Sequence, residues 1–120
     1  MLLLIQYLNT VGNNQIMVYY TGVRFTFRDV KLERLFAKGD GKETLPQGVY
    51  NRFLYTIAII QAAVDIRDLY HFKGLRLEKL RGDRDGQYSV RLNQQFRLCF
   101  EIIQDAEGNL LYILEIVDYH

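Results

Sequence analysis

The stretch QYSVRLNQQFRLCFEII holds two arginines, Arg91 and Arg97, on either side of a polar run, Asn93–Gln95. If those three residues close a hairpin, Leu92 opposes Phe96, Val90 opposes Leu98 and Tyr88 opposes Phe100, and one face is wholly apolar. A two-residue loop would pair Val90 with Arg97 and mix the faces, because a one-residue slip turns every side chain over. The apolar pattern therefore selects the three-residue loop. On the other face the same register sets Arg91 opposite Arg97, with Ser89 opposite Cys99 beside them. Like charges so placed cost a few tenths to about 1 kcal/mol. An anion between the guanidiniums would remove that cost, and so would an acid such as Glu101, two residues along the same face. Arginine suits a phosphate because its planar fork meets two oxygens at once. The plainer reading is a solvated polar face with splayed guanidiniums.

Arg76, Lys79, Arg81 and Arg84 extend this charge along the strand and turn that lead into the hairpin. From Lys73 to Arg97 seven basic residues stand against three acids, Glu78, Asp83 and Asp85, a net +4 in a chain whose formal charge is +1. The segment after it, 100–120, has five acids and no Lys or Arg. Local basicity in a near-neutral protein points to a local anion site, and beside the arginine pair it suggests a groove that follows a nucleic-acid backbone. The sequence finishes in VDYH, an apolar strand running into Tyr119 and His120. Chain ends are ordinarily frayed. An imidazole beside Asp118 and an α-carboxylate is expected to titrate above its ordinary value, which suits a general acid.

These groups need elements to hold them. LLLIQYLNT and QIMVYYTGVRFTF, separated by VGNN, read as strands and a turn, with clean alternation only in VRFTF. RDVKLERLFAKGDG predicts a helix with Asp29 as N-cap, an apolar stripe of Val30, Leu32, Leu35 and Phe36, and Gly39 just past its end. Residues 45–74 predict one long helix with Pro46 in its first turn. Phe53, Leu54, Ile57, Ile60, Ala63, Val64 and Ile66 would form its buried face, His71 would face its C-terminal dipole, and Gly74 would end it. LRLEKL, QYSVRL, FRLCFEII and LLYILEIV predict strands, with turns at GDRDG and DAEGN. Helices followed by an antiparallel meander make the class α+β, with the helices on one face of the sheet.

At 120 residues the chain is expected to be one domain with a working core. Its single cysteine, Cys99, cannot form an internal disulfide, which suggests a reducing, cytoplasmic setting. Cys99 itself reads as a small buried filler. The opening MLLLIQYLNTVGNN lacks the basic segment and cleavage site of a signal peptide, and no run approaches the roughly 20 apolar residues of a membrane span.

LRLEKLRGDRDGQYSVRLNQQFRLCFEI, followed by VDYH, resembles the HigB group of the RelE/ParE toxin superfamily, the plasmid maintenance system killer proteins. The matching elements are Leu77–Gly86, Tyr88–Leu92, Phe96–Phe100 and Asp118–His120, and the resemblance covers residues 23–120, leaving 1–22 as an extension of unknown role. It implies a RelE-like fold, an N-terminal strand and two helices packed on a twisted antiparallel sheet. It also implies a ribosome-dependent mRNA endonuclease that uses no metal or other cofactor. Such a toxin is held by a helix-turn-helix antitoxin of the HigA type and meets operator DNA only through that complex, with no membrane partner. The implied reaction is attack of a ribose 2′-hydroxyl on the adjacent phosphate. Arg97 falls on the phosphate-binding arginine, His120 on the terminal catalytic histidine and Tyr119 on the tyrosine before it. Arg81 replaces a frequent lysine and Glu78 a frequent histidine, so Arg81 would stabilise charge and Glu78 would either act as base or neutralise the arginines. Lys73, Arg76, Lys79, Arg84 and Arg91 would contact RNA. Tyr88 and Phe96 stand where tryptophans are common and by parity face the core. Two other readings share the resemblance: a ParE-like inhibitor of DNA gyrase that cuts nothing, and a toxin remnant without activity.

Overall fold

The apolar alternation of residues 87–100 fixes one hairpin, and the remaining strands assemble around it. The structure, a computed structural model, describes the backbone of residues 5–11 and 14–20 and all of 23–119. Among the described residues the strands are β1 (Ile5–Val11), β2 (Asn14–Tyr20), β3 (Arg24–Phe27), β4 (Glu78–Lys79), β5 (Gln87–Arg91), β6 (Phe96–Asp105) and β7 (Gly108–Asp118). They form one sheet in the order β1-β2-β3-β7-β6-β5-β4. The class is α+β, as expected. Every pairing is antiparallel except β3 with β7, which is parallel. The N-terminal strands thus continue the sheet beyond β3.

The hairpin register is the one the apolar pattern selects. Tyr88 pairs with Phe100, Val90 with Leu98, Ser89 with Cys99 and Arg91 with Arg97. Val90, Leu98 and Phe100 are buried, and Tyr88 stacks on Phe100 with centroids 5.7 Å apart, so Tyr88 packs against the core as parity implies. Between Cys99 and Phe100 the register with β7 shifts. Such a bulge leaves one residue unpaired and re-aims its neighbours. Here it sets Glu115 opposite Cys99 while Ile113 stays opposite Phe100 in the core.

Two helices cover the apolar face. α1 (Val30–Lys38) starts where Asp29 accepts the Lys31 amide and ends at Gly39 in the left-handed region, φ 74. Leu32 and Leu35 are buried and Phe36 packs against Phe25 and Phe27, but Val30 is 60% exposed and outside the stripe.

The long helix expected over 45–74 is shorter. α2 spans Val49–Ala62, and Pro46 precedes it, with its carbonyl accepting the Val49 amide. The helix stops because Asp65 and Asp68 form a capping box that opens a separate 3-10 turn, Ile66–His71. Short acidic side chains that take backbone N–H groups favour a new start over helix continuation. Val49, Phe53, Ile57 and Ile60 on α2 are buried, whereas Val64, expected on the same face, is exposed. Gly74 ends no helix; it lies in a further turn, Lys73–Leu75. His71 closes the 3-10 turn rather than a long helix. The strand expected at Leu75–Leu80 shrinks to Glu78–Lys79, because Arg76 sits at φ 49, ψ 51, outside strand geometry.

β3 has both faces covered. Phe25 and Phe27 join the aromatic core, and Arg24 and Thr26 between them are buried too. Arg24 grips Asp105 through two hydrogen bonds of 2.6 and 3.1 Å and reaches the carbonyls of Gly108 and Asn109. This ties β3 to the turn between β6 and β7.

Candidate active site

Strand alternation puts Ser89, Arg91, Arg97 and Cys99 on the sheet face away from the buried Val90, Leu98 and Phe100. Glu78, Ser89, Cys99 and Glu115 follow one another across β4, β5, β6 and β7 as direct partners. Arg97 lies against this row. Its Nε donates to Ser89 Oγ at 2.7 Å, and its Nη2 donates to the carbonyls of Arg76 and of Ser89, the latter at 3.3 Å. Glu78 Oε1 is 3.9 Å from Nη2. The Arg97 side chain is only 12% exposed, and among the described residues Nη1 makes no hydrogen bond. The guanidinium is therefore held along one edge, and a donor is left for an incoming oxygen.

The like-charge pair resolves by divergence. Arg97 turns toward Ser89 and Arg76, while Arg91 Nε turns back to the Asn93 carbonyl at 3.2 Å. Among the described residues the acid beside Arg97 is Glu78, and Glu101, expected as a neutraliser, pairs in register with Gln87 instead. Glu115 serves a second set: Arg28 and Arg84 each reach Glu115 Oε2 at 3.2 Å, and Arg84 also donates to Gln87 Oε1 at 2.5 Å. Burial works against the Arg84 charge. The Glu115 hydrogen bond and the surrounding groups outweigh it, and the pKa rises.

The hairpin loop carries the C-terminal segment. Asn93 Oδ1 accepts the amides of Gln95 and Phe96, which shapes the loop. The Gln95 carbonyl then accepts the Tyr119 amide at 2.7 Å, and Gln95 Nε2 donates to Asp118 at 3.0 Å. So anchored, Tyr119 is brought within electrostatic reach of the buried Cys99 thiol, Arg84 and Arg97. Burial pushes both the Cys99 thiol and the Tyr119 phenol up, only partly opposed by the arginines. Both therefore stay protonated at neutral pH, and Tyr119 is a donor rather than a base.

The structure thus gathers Arg97, Glu78 and the Arg76 backbone, with Tyr119 and Arg84 on the adjoining part of the same face. Lys73, Arg76, Lys79 and Arg81 have exposed side chains, but Lys79, paired with Tyr88, lies on the opposite face of the sheet from Ser89 and Arg97. His120 lies outside the described residues, and so does its expected titration. Sequence reasoning passed over Ser89 as the acceptor for Arg97. The signal was present, since Ser89 is a diagonal neighbour of Arg97 in the derived register. Gln95 and Glu115 gave no such signal, because one acts through a loop carbonyl and the other depends on the bulge. Among the described residues no group of three His, Cys, Asp or Glu side chains is placed to hold a metal ion, and no helix is long and apolar enough to cross a membrane.

Comparison with known proteins gives this face a family. Residues 25–120 match the family described as RelE-like toxin of type II toxin-antitoxin system HigB. The chain is 32% identical over 96 residues to the endoribonuclease HigB of Proteus vulgaris, covering 79% of this chain and 97% of the relative. It is 32% identical over 83 residues to toxin HigB-1 of Vibrio cholerae, covering 69% and 87%. Among solved structures, the YoeB/ParE toxin from Agrobacterium tumefaciens is similar with a TM-score of 0.48 at 12% identity, covering 80% of this chain and 98% of that one. The chain belongs to the HigB-like toxins of type II toxin-antitoxin systems.

Proposed function

We propose that this toxin is a ribosome-dependent mRNA endonuclease whose centre is Arg97. The observation that carries the reading is the anchoring of that guanidinium by Ser89 and the Arg76 carbonyl, with Nη1 left unengaged among the described residues. In the reaction the 2′-oxygen bonds to the neighbouring phosphorus, the bond to the 5′-oxygen breaks, and the products are a 2′,3′-cyclic phosphate and a 5′-hydroxyl. A preplaced donor aimed at the phosphorane oxygens is worth about 10²–10³ in rate. Glu78, 61% exposed and beside Arg97, is the candidate to take the 2′-hydroxyl proton. His120 is the candidate to protonate the leaving oxygen, and Tyr119 to donate a hydrogen bond. Arg81 adds positive charge, and Lys73, Arg76 and Arg91 follow the RNA backbone. Arg84, engaged by Glu115 and Gln87, buttresses Tyr119 and Cys99 rather than contacting phosphate. A helix-turn-helix antitoxin is the partner that would restrain the activity and link it to operator DNA.

The test is primer extension on an mRNA incubated with the protein, with and without translating ribosomes. Cuts within codons that need ribosomes and leave 5′-hydroxyl ends are expected. Intact mRNA in both arms, from folded protein, would overturn the reading.

A further inference from the structure

Between α2 and β4 the chain makes two successive short turns, Ile66–His71 and Lys73–Leu75. Phe72 stands between them. It is 42% exposed, and it lines two neighbouring surface grooves at once, of about 510 and 350 Å³. Tyr70 and Arg76 line the first, Arg52 and Tyr55 the second, and Lys73 both. Tyr70 in the first turn and Tyr55 on the facing helix α2 are more than half exposed, an unusual concentration of open aromatic surface around Phe72. Neither groove has a carboxylate in its lining, whereas the groove between α1 and β7 includes Asp29, Asp40 and Glu115. The segment is also braced: Arg52 Nη2 donates to the Gly74 carbonyl at 3.0 Å, and the guanidinium of Arg52 lies over the Tyr55 ring. At its far end the carbonyl of Arg76 holds Arg97.

From this arrangement we infer that the Phe72 ridge is a base-stacking subsite for single-stranded RNA, adjoining the Arg97 centre. Exposed rings interleaved with cations are what unpaired nucleotides need, since every base has a flat face and every phosphate a charge. Two grooves separated by one ring would seat the bases on either side of Phe72, while Lys73 and Arg76 meet the intervening phosphates. A brace that fixes the turn on α2 and on Arg97 would hold the stacked base in constant relation to the cutting centre. The inference deepens the proposed nuclease reading by giving the site a second RNA contact.

The test uses the full chain and a short single-stranded oligoribonucleotide that is 2′-O-methylated throughout, which lacks the attacking hydroxyl. The probe is titrated while the ring protons of Phe72, Tyr70 and Tyr55 are followed by NMR. Saturable ring-current shifts centred on Phe72 are expected. Phe72→Ala should weaken binding about tenfold and Phe72→Tyr should restore it. Phe72 is open to solvent, so both variants should fold. An abasic position should cost wild type about as much as Phe72→Ala does, and cost that variant nothing further. Shifts confined to other residues, no saturable shift at all, or equal affinity of Phe72→Ala and wild type would overturn the subsite. So would a Phe72→Ala protein that binds RNA normally and loses only its grip on an antitoxin. Because the probe cannot be cut, binding at Phe72 by a protein that leaves mRNA intact on ribosomes would retain the subsite and sink the nuclease. Cleavage with Phe72 untouched would do the reverse.

Discussion

The single contact that most shapes the site is a serine hydroxyl accepting from an arginine. Ser89 is fully buried, and its Oγ takes the Arg97 Nε–H at 2.7 Å. Hydrogen bonds to a charged group contribute about 1.5–3 kcal/mol. Ser89→Ala should therefore slow cleavage about tenfold or more, through a guanidinium no longer held to one pose. A double-mutant cycle checks this: Ser89→Ala should add nothing in an Arg97→Ala background, and additive losses would show that Ser89 matters only for folding. The Cys99 thiol and Tyr119 phenol beside it set a pH limit. Cys99 has its pKa raised by burial above an ordinary value of 9.0. A thiol raised in the folded state contributes stability that is fully present below its unfolded pKa and is lost as pH rises through the folded one. Tyr119 acts in the same direction. Denaturant melts should thus show stability falling on the alkaline side above about pH 9, with Cys99→Ala reducing that slope; an unchanged slope would remove Cys99 from the explanation.

Among the elements, the hairpin was legible and the long helix was not. Residues 87–100 alternate strictly, and a slip would bury arginines, so the pattern leaves one register, which the structure has. The α2 segment is apolar enough to continue past Ala62, and periodicity alone cannot see the Asp65–Asp68 capping box that stops it. Nor can it see Arg76 in the left-handed region, which delays the start of the next strand and turns a carbonyl onto Arg97. The left-handed conformation costs a non-glycine residue roughly 1–2 kcal/mol. Arg76→Gly keeps the carbonyl and relieves that cost, so calorimetry should show a thermal midpoint equal to or above wild type. Cleavage should fall only by the loss of one phosphate contact. A collapse of activity as deep as that of Arg97→Ala would mean that the side chain, not the backbone, is what the centre needs.

For the molecule as a whole, the layers divide the labour. Helices and apolar rungs build the core on one side, and the other side carries Arg91 and Arg97, with the C-terminal segment clipped by Gln95. The N-terminal hairpin lengthens this sheet beyond β3. β2 lies between two strands, so amides at 14–20 should exchange with solvent far more slowly than those at 40–47; equal rates would detach the hairpin from the sheet in solution. The family was readable because its motifs sit on the strands that build the site. The supporting contacts at Ser89, Gln95 and Glu115 emerge only when those strands are assembled. All of it converges on one guanidinium, and the most direct measurement is single-turnover cleavage of an mRNA on translating ribosomes by wild type and Arg97→Ala. The expected result is a loss of about 10²–10³ in rate with the fold intact. Equal rates would contradict the assignment of the reaction to this face of the sheet.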